Sequence, residues 1–550
     1  MDQIYENIPK EKFRFSQNKE FGHDQKLDTK PVGYFRDAWR RFCKNKGSVV
    51  AGCIILILLL FALITPLCTP YTVSFSDSYY KFALPKNAMF ANTDFWDGCS
   101  VKQGNAKTFS YYYYIGEESG HYAIKNQEYT IIEADEIDDD LIEDDGEETS
   151  EETKQFTGTF YEYRLDSYHK VGCIYKILTP EEYQSIQRYQ DEYNIQVIYP
   201  IVRGSKLPSY NMRPTADQDV NNANYYYITK EVDGQTEAVL DENGNIQLAY
   251  WTTTDNSGST DDYTSKMRIE GEDGLVDENG NTYYYRYAQT NQTGYECRVN
   301  YYEYFIYYHS YVLKDGITEP MFLLGANENG QDILACLSSG AQFSFLFAIS
   351  VCIVNIFVGV IYGSIEGYYG GAADLIMERV SDILAAIPSV IVITLLQLHM
   401  GTASSMVILF IAFFMTGWIG TAATVRMQFY RYKNQEYVLA ARTLGAKDRR
   451  IMFKHILPNA LGTFVTGSIL AIPSMIYSET NLSYLGIINL SANGVSSVGT
   501  ILAGGQPYIT TYPHIVLFPS IFVALLMLSF NLFGNGLRDA FNPSLRGMED

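Results

Sequence analysis

The chain has 550 residues, with 41 Lys and Arg against 63 Asp and Glu, for a formal net charge of -22. Such an acidic balance argues against a nucleic-acid partner, and 47% hydrophobic residues would fit an acidic soluble protein of several domains. That average hides a split. Residues 71–320 carry 44 acids, 19 bases and 34 of the 46 tyrosines, which leaves 19 acids and 22 bases for the other 300 residues. Two unlike parts share one chain, one acidic and Tyr-rich, the other apolar and slightly basic.

A polar segment, 1–46, ends in "RDAWRRFCKNKG" and precedes the apolar run "GSVVAGCIILILLLFALITPL", 47–67. Crossing a bilayer takes roughly 20 apolar residues in a helix. Arg36, Arg40, Arg41, Lys44 and Lys46 place the N-terminus in the cytoplasm. A cleaved signal peptide fits poorly, because the run starts late, is too long and lacks an A-x-A-type exit.

Residues 68–320 follow as an exported domain. "VLDENGNIQLAY" (239–250) and "LVDENGNTYYYRY" (275–287) read as strand, turn, strand, with Asn243-Gly244 and Asn279-Gly280 supplying positive φ. Together with "YYYY" (111–114) and "YYEYFIYYHSYVL" (301–313), they predict a β-rich ordered ectodomain whose tyrosines pack against sheets. "EADEIDDDLIEDDGEETSEET", 133–153, is too acidic to bury and predicts a mobile loop. Gly146 lacks the preceding D-x-[DN]-x-[DN] of a calcium loop, and no His and Cys spacing suggests zinc. Cys99, Cys173 and Cys297, with Cys68 at the membrane edge, would permit a disulfide, but the pairing stays open.

Five more apolar runs lie at about 341–365, 375–398, 403–425, 459–479 and 513–534. Six spans put 68–340 outside, and 426–458 and the tail 538–550 inside. In 426–458, Arg426, Arg431, Lys433, Arg442, Lys447, Arg449, Arg450 and Lys454 outweigh Glu436 and Asp448, as an inner loop requires. The other inner loop, 366–378, does not agree: Glu366, Asp374 and Glu378 outnumber its bases. Pro388, Pro473 and Pro519 predict kinks in or near spans. Gln397 and His399 sit at an outer end, where interface snorkelling explains them as well as substrate contact.

The stretch "EYVLAARTLGAKDRRIMFKHILPN", 436–459, is polar and helix-prone between two spans. Tyr437, Val438, Ala440, Ala441 and Leu444 recur at helical spacing, and Gly445 offers a left-handed stop. Asp448 is expected to cap a second helix over 449–455, and Pro458 to limit its continuation. Physics alone leaves a docking surface and a helix lying on anionic lipid equally open.

The order Ala440, Ala441, Gly445, Ile456, Leu457, Pro458 resembles the "EAA" loop of ABC importer permeases, and "HILPN" the form of the peptide/nickel group. "LGANENGQDIL", "GYYGGAADLIMERVSDILAAIPS", "ETNLSYLGI" and "FNLFGNGLRDAFNP" resemble further segments of that family, in order, from about Leu324 to the end. The departures are Leu439 where the family has glutamate, and Ala326, Asn327 and Gln331 where it has T, D and R. The resemblance implies a polytopic α-helical membrane protein with six transmembrane helices in the type I importer fold, interrupted by the β-rich extracellular insertion. Its permease core would be 321–537.

It further implies that Glu436, Tyr437, Ala440, Ala441, Leu444, Gly445, Ile456, Leu457 and Pro458 form the coupling element docked on a cytoplasmic ATPase. The implied partners are a homologous second permease, two cytoplasmic ATPase subunits, an extracellular substrate-binding lipoprotein and a peptide substrate, in a bacterial cell membrane. No G-x-x-x-x-G-K-[ST] loop occurs, so ATP and Mg would belong to the ATPases and this chain would be no enzyme. Nickel and glutathione importers share the motifs. A receptor or sensor anchored by its spans is the reading from another class, and it has no use for a glycine-broken docking helix.

Overall fold

The computed structural model describes residues 34–90, 93–132, 141, 160–199, 212–214, 226–232, 235–238, 248–249, 289–291, 294–400, 405–488, 490 and 496–541. Residues 1–33, nearly all of the acidic stretch 133–153, both Asn-Gly turns and 542–550 lie outside the described residues.

Helix α1 (Tyr34–Lys44) leads directly into α2 (Lys46–Cys68), the first apolar run. Asn45 separates the two and caps α2 by accepting from Ser48 N at 3.3 Å. The insertion begins with β1 (Cys99–Asn105), α3 (Ala106–Ser119), β2 (Ile124–Ile132) and β3 (Phe160–Asp166), in which the strands form an antiparallel sheet in the order β1-β3-β2. A second sheet joins β4 (Cys173–Leu178), β5 (Ile198–Tyr199), β10 (Gln289–Asn291) and β11 (Gly294–Asn300). Between them come α4 (Pro180–Tyr193) and four strands of a third sheet, β6 (Met212–Pro214), β7 (Tyr226–Val232), β8 (Gln235–Ala238) and β9 (Leu248–Ala249). Helix α5 (Tyr301–Ile306) continues as a π-helix through Tyr307–Leu313.

One sequence expectation fails here. The tyrosine runs 111–114 and 301–313 are helical, not strands. Asn105 and Asn300 start these helices by accepting from Thr108 N and Glu303 N. The rings then stack along the helix, with Tyr304–Tyr308 and Tyr307–Tyr311 centroids 6.1 and 6.0 Å apart. The insertion therefore carries helices beside its sheets, and its tyrosines are indeed packing residues: Tyr80, Tyr168, Tyr183, Tyr189 and Tyr301 share one buried cluster. No disulfide forms among the described cysteines; Cys173 and Cys297 lie on paired strands but three register positions apart.

The insertion returns to the membrane along its own base. Asp77 N donates to Gly330 O (3.1 Å), Lys86 N to Phe322 O (3.0 Å) and Ala326 N to Ala83 O (2.8 Å). At Gly330, with φ +70, any Cβ would lie 1.7 Å from Asp77 O, so the close approach requires glycine.

The membrane part then runs through α6 (Ile333–Tyr369), α7 (Gly371–Ala385), α8 (Ser389–His399), α9 (Ser405–Tyr432), α10 (Glu436–Thr443), α11 (Asp448–Arg450), α12 (Leu457–Tyr484), α13 (Val498–Gly505) and α14 (His514–Phe541). Among the described residues, α2, α6, α9 and α14 are long and apolar enough to cross a membrane. The expected span 375–398 is instead two helices, α7 and α8, bent by 71°. Pro388 explains the break: it has no N–H to donate, and it drives the preceding residue out of the helical region. The fifth expected span, 459–479, falls within the 28 residues of α12, about 42 Å at 1.5 Å per residue.

Helices α6 and α9 approach unusually closely. Gly359, Gly363 and Gly367 recur every fourth residue on α6, and a Cβ on them would meet Trp418 O, Ala422 O and Arg426 O at 2.7, 2.2 and 2.8 Å. Small residues at this spacing let two membrane helices touch backbone to backbone.

Candidate functional site

Between α9 and α12 the chain leaves the helix layer and turns back on itself. Val438 is the one buried residue of α10, and it sits with Ile451, Met452 and Ile456 against Tyr368, Val425 and Phe429 from the ends of α6 and α9. Tyr437, Leu439 and Leu444 face outward, Leu444 at 88% exposure. Glu436 and Ala440 are exposed as well, and Ala441 is half-buried. The apolar set read from the sequence is thus divided: Val438 anchors the helix, Ala441 is half-buried, and Tyr437, Ala440 and Leu444 are displayed. Burial pushes the Tyr437 hydroxyl up from its ordinary range.

Gly445 ends α10 with φ +78, its N–H donating to Arg442 O at 3.0 Å, and a Cβ there would meet nothing within 4 Å. The glycine serves the turn and not a tight contact.

Two further expectations are corrected. Lys447, not Asp448, precedes the second helix as its cap residue, and it makes no side-chain cap bond. The Asp448 carboxylate instead accepts from the Tyr368 hydroxyl at 2.6 Å, an oxygen that Arg442 also reaches at 3.5 Å. One tyrosine at the end of α6 therefore ties both arms of the loop. Pro458 does not stop the helix either. Residues Ile451–Ile456 wind as a π-helix, Leu457 N donates back to Met452 O, and α12 follows without a break. The wider turn accommodates a residue without N–H, and Asn459 Nδ2 donates to the His455 carbonyl at 2.9 Å. Ile456 is buried, Leu457 half-buried and Pro458 exposed.

The loop is braced from the side by charges. Arg426 grips Asp374 (Nε–Oδ1 2.6 Å, Nη2–Oδ2 3.0 Å) and Glu378 (Nη1–Oε1 2.8 Å, Nη2–Oε2 3.0 Å), with Glu366 at 3.5 Å. Tyr430 donates to Asp374 at 2.5 Å, and Lys433 Nζ to Gly367 O at 3.1 Å. The acids of 366–378 that broke the charge rule are therefore counter-ions of Arg426 on α9. Sequence reasoning counted Arg426 only as an inner base; the unexplained acids were the signal for its role. It also missed Glu479, fully buried on α12, which accepts from Ser344 and Ser483 Oγ, each at 3.0 Å. An acid closing an apolar run was the legible sign of it.

Residues 334–547 match the family model of the binding-protein-dependent transport system inner membrane component, and 33–85 that of the N-terminal TM domain of oligopeptide transport permease C. The oligopeptide transport system permease protein OppC of Bacillus subtilis is 42% identical over 222 residues, 40% of this chain and 72% of that one. The dipeptide transport system permease protein DppC of the same organism is 38% identical over 223 residues, covering 40% and 68%. DppC of Lactococcus lactis is 36% identical over 230 residues, covering 42% and 65%. Neither family model reaches into 86–333. With several apolar helices and this loop between two of them, the chain belongs to the binding-protein-dependent ABC importer permeases of the oligopeptide permease C group, multi-pass membrane proteins.

Proposed function

We propose that this chain forms, with a homologous permease, the membrane path of a peptide importer driven by separate ATPase subunits. The relatives named for oligopeptide and dipeptide transport support the substrate class. The observation that carries the mechanism is the loop 436–459: an outward apolar face, Tyr437, Leu439 and Leu444, on a helix anchored by Val438 and clamped through Tyr368. Such a face suits docking by a soluble partner.

In this reading Glu436, Ala440, Ala441 and Gly445 contact the ATPase, while Ile456, Leu457 and Pro458 pass its movement into α12. Without the family glutamate at Leu439, apolar contact carries more of the docking. ATP and Mg are held by the ATPases, the loop and both termini are cytoplasmic, and 68–340 is outside the cell membrane. A substrate-binding lipoprotein delivers the peptide.

Uptake of a labelled tripeptide into vesicles holding the whole complex tests this. Accumulation that requires ATP on the loop side and this chain supports the reading. Equal accumulation without ATP, or none with any peptide, contradicts it.

A further inference from the structure

Four apolar side chains near the start of the insertion turn away from its core and gather beside a membrane helix. Trp96 stacks on Phe518 of α14, with centroids 6.1 Å apart and planes 11° from parallel, and its Nε1–H donates to Leu323 O at 2.5 Å. Phe90 stacks on Trp96 at 6.2 Å, and Phe95 meets both rings edge-on at 6.1 and 5.4 Å. The outer members of this group stand open, Met89 at 87% exposure and Phe95 at 66%. Phe82 lies in the same way on Tyr508 and Tyr512, just ahead of α14.

Phe518 sets the depth of the group. Charge reappears on α14 at Arg538, near its far end, and a hydrocarbon core takes roughly 20 residues of helix, which counted back from Arg538 ends at Phe518. Leu517, Ile521, Leu525, Leu528 and Leu532 are exposed at helical spacing, so an outward apolar stripe runs along α14 up to this level. The aromatic group extends that stripe where hydrocarbon gives way to headgroups, the level at which tryptophan and tyrosine concentrate in membrane proteins. In water Met89 and Phe95 would leave apolar surface unburied, whereas the headgroup boundary accepts it.

The one charged residue of 87–96, Asp94, does not oppose this placement. Its carboxylate pairs with Arg164 on β3 and lies 3.6 Å from Lys125 on β2, so both its counter-charges come from the insertion's first sheet.

We propose that Met89, Phe90, Phe95 and Trp96 enter the bilayer boundary beside α14 and hold the base of the insertion to phospholipid. The inference concerns the insertion alone and does not depend on what the permease carries. The partner is a lipid surface, because the stacking on Phe518 puts these side chains at the depth of the acyl–headgroup boundary.

Photocrosslinking in intact cell membranes tests this. The full chain carries p-benzoylphenylalanine in place of Met89, of Phe95 or, as a control, of Ile177, which is exposed on β4. After irradiation the chain is purified and its adducts are read by mass spectrometry. Phospholipid adducts are expected at 89 and 95, with only background at 177, and lipid capture above that background at either of the two positions supports the inference. Lipid adduct at neither position overturns it, whether the label joins a protein partner or stays unreacted. An equal amount of lipid at 177 overturns it as well.

Discussion

At Arg426 one guanidinium answers two carboxylates through forked contacts and a third at longer range, which ties α7 to α9 just before the loop. Removing it takes from Asp374 and Glu378 the charge that both of them bond. Breaking one side of such a partly buried set is costly, so Arg426→Met should lose roughly 3 kcal/mol of stability. Arg426→Lys should recover only part, because an ammonium cannot match both forks. Thermal unfolding of the purified protein in detergent reads this. Equal midpoints for wild type and Arg426→Met would show that the acids are solvated independently of it. Tyr368 works on the same scale, since its single hydroxyl meets Asp448 and Arg442 from opposite arms of the loop.

Among elements, the seam between α6 and α9 depends on glycine. Adding one methyl at Gly363 puts carbon 2.2 Å from Ala422 O, a backbone atom that cannot rotate away. Gly363→Ala should therefore push the helices apart and destabilise by about 1–3 kcal/mol, as overpacking does. Gly420, with nothing within 4 Å of its Cβ position, is the control expected to tolerate the same change. Loss of stability at both positions, or at neither, would contradict the seam.

How much of these elements the sequence disclosed depended on what each residue signals locally. The spans 47–67 and 513–534 were legible because length and apolarity alone define them, and Gly445 because a left-handed turn favours glycine. Pro388 was legible as a kink, but the size of the bend, 71°, was not, since proline chemistry sets where a helix breaks and not the angle. The tyrosine runs misled because β propensity outvoted position. Tyr301, Tyr304, Tyr308 and Tyr311 follow helical spacing once Asn300 is seen as a cap. Asp448 was misassigned because its partner, Tyr368, is 80 residues away in sequence.

For the whole molecule, an acidic Tyr-rich insertion sits on a permease frame without separating from it. Phe82 stacks on Tyr512 at 4.5 Å and Trp96 on Phe518 at 6.1 Å, so the insertion's base rests on the segment leading into α14 and on α14 itself. Helices α7 and α8 expose Leu375, Ile376, Ile383 and Leu398, apolar surface available to lipid or to another subunit. The domain limits 68–320 and 321–537 remain our proposal, with the two parts bonded across them by the 71–86 and 322–332 strips.

The central claim, that 436–459 is where ATPase subunits take hold, is tested most directly by co-purification of the tagged chain from its native membranes. Wild type is compared with Gly445→Trp, a change that strains a φ of +78 and starts from a Cβ position with nothing within 4 Å. The account predicts that wild type brings down ATPase subunits and a second permease, and that the variant keeps the permease but loses the ATPases. ATPases retained in full by the variant, or a wild-type chain that purifies alone, would contradict it.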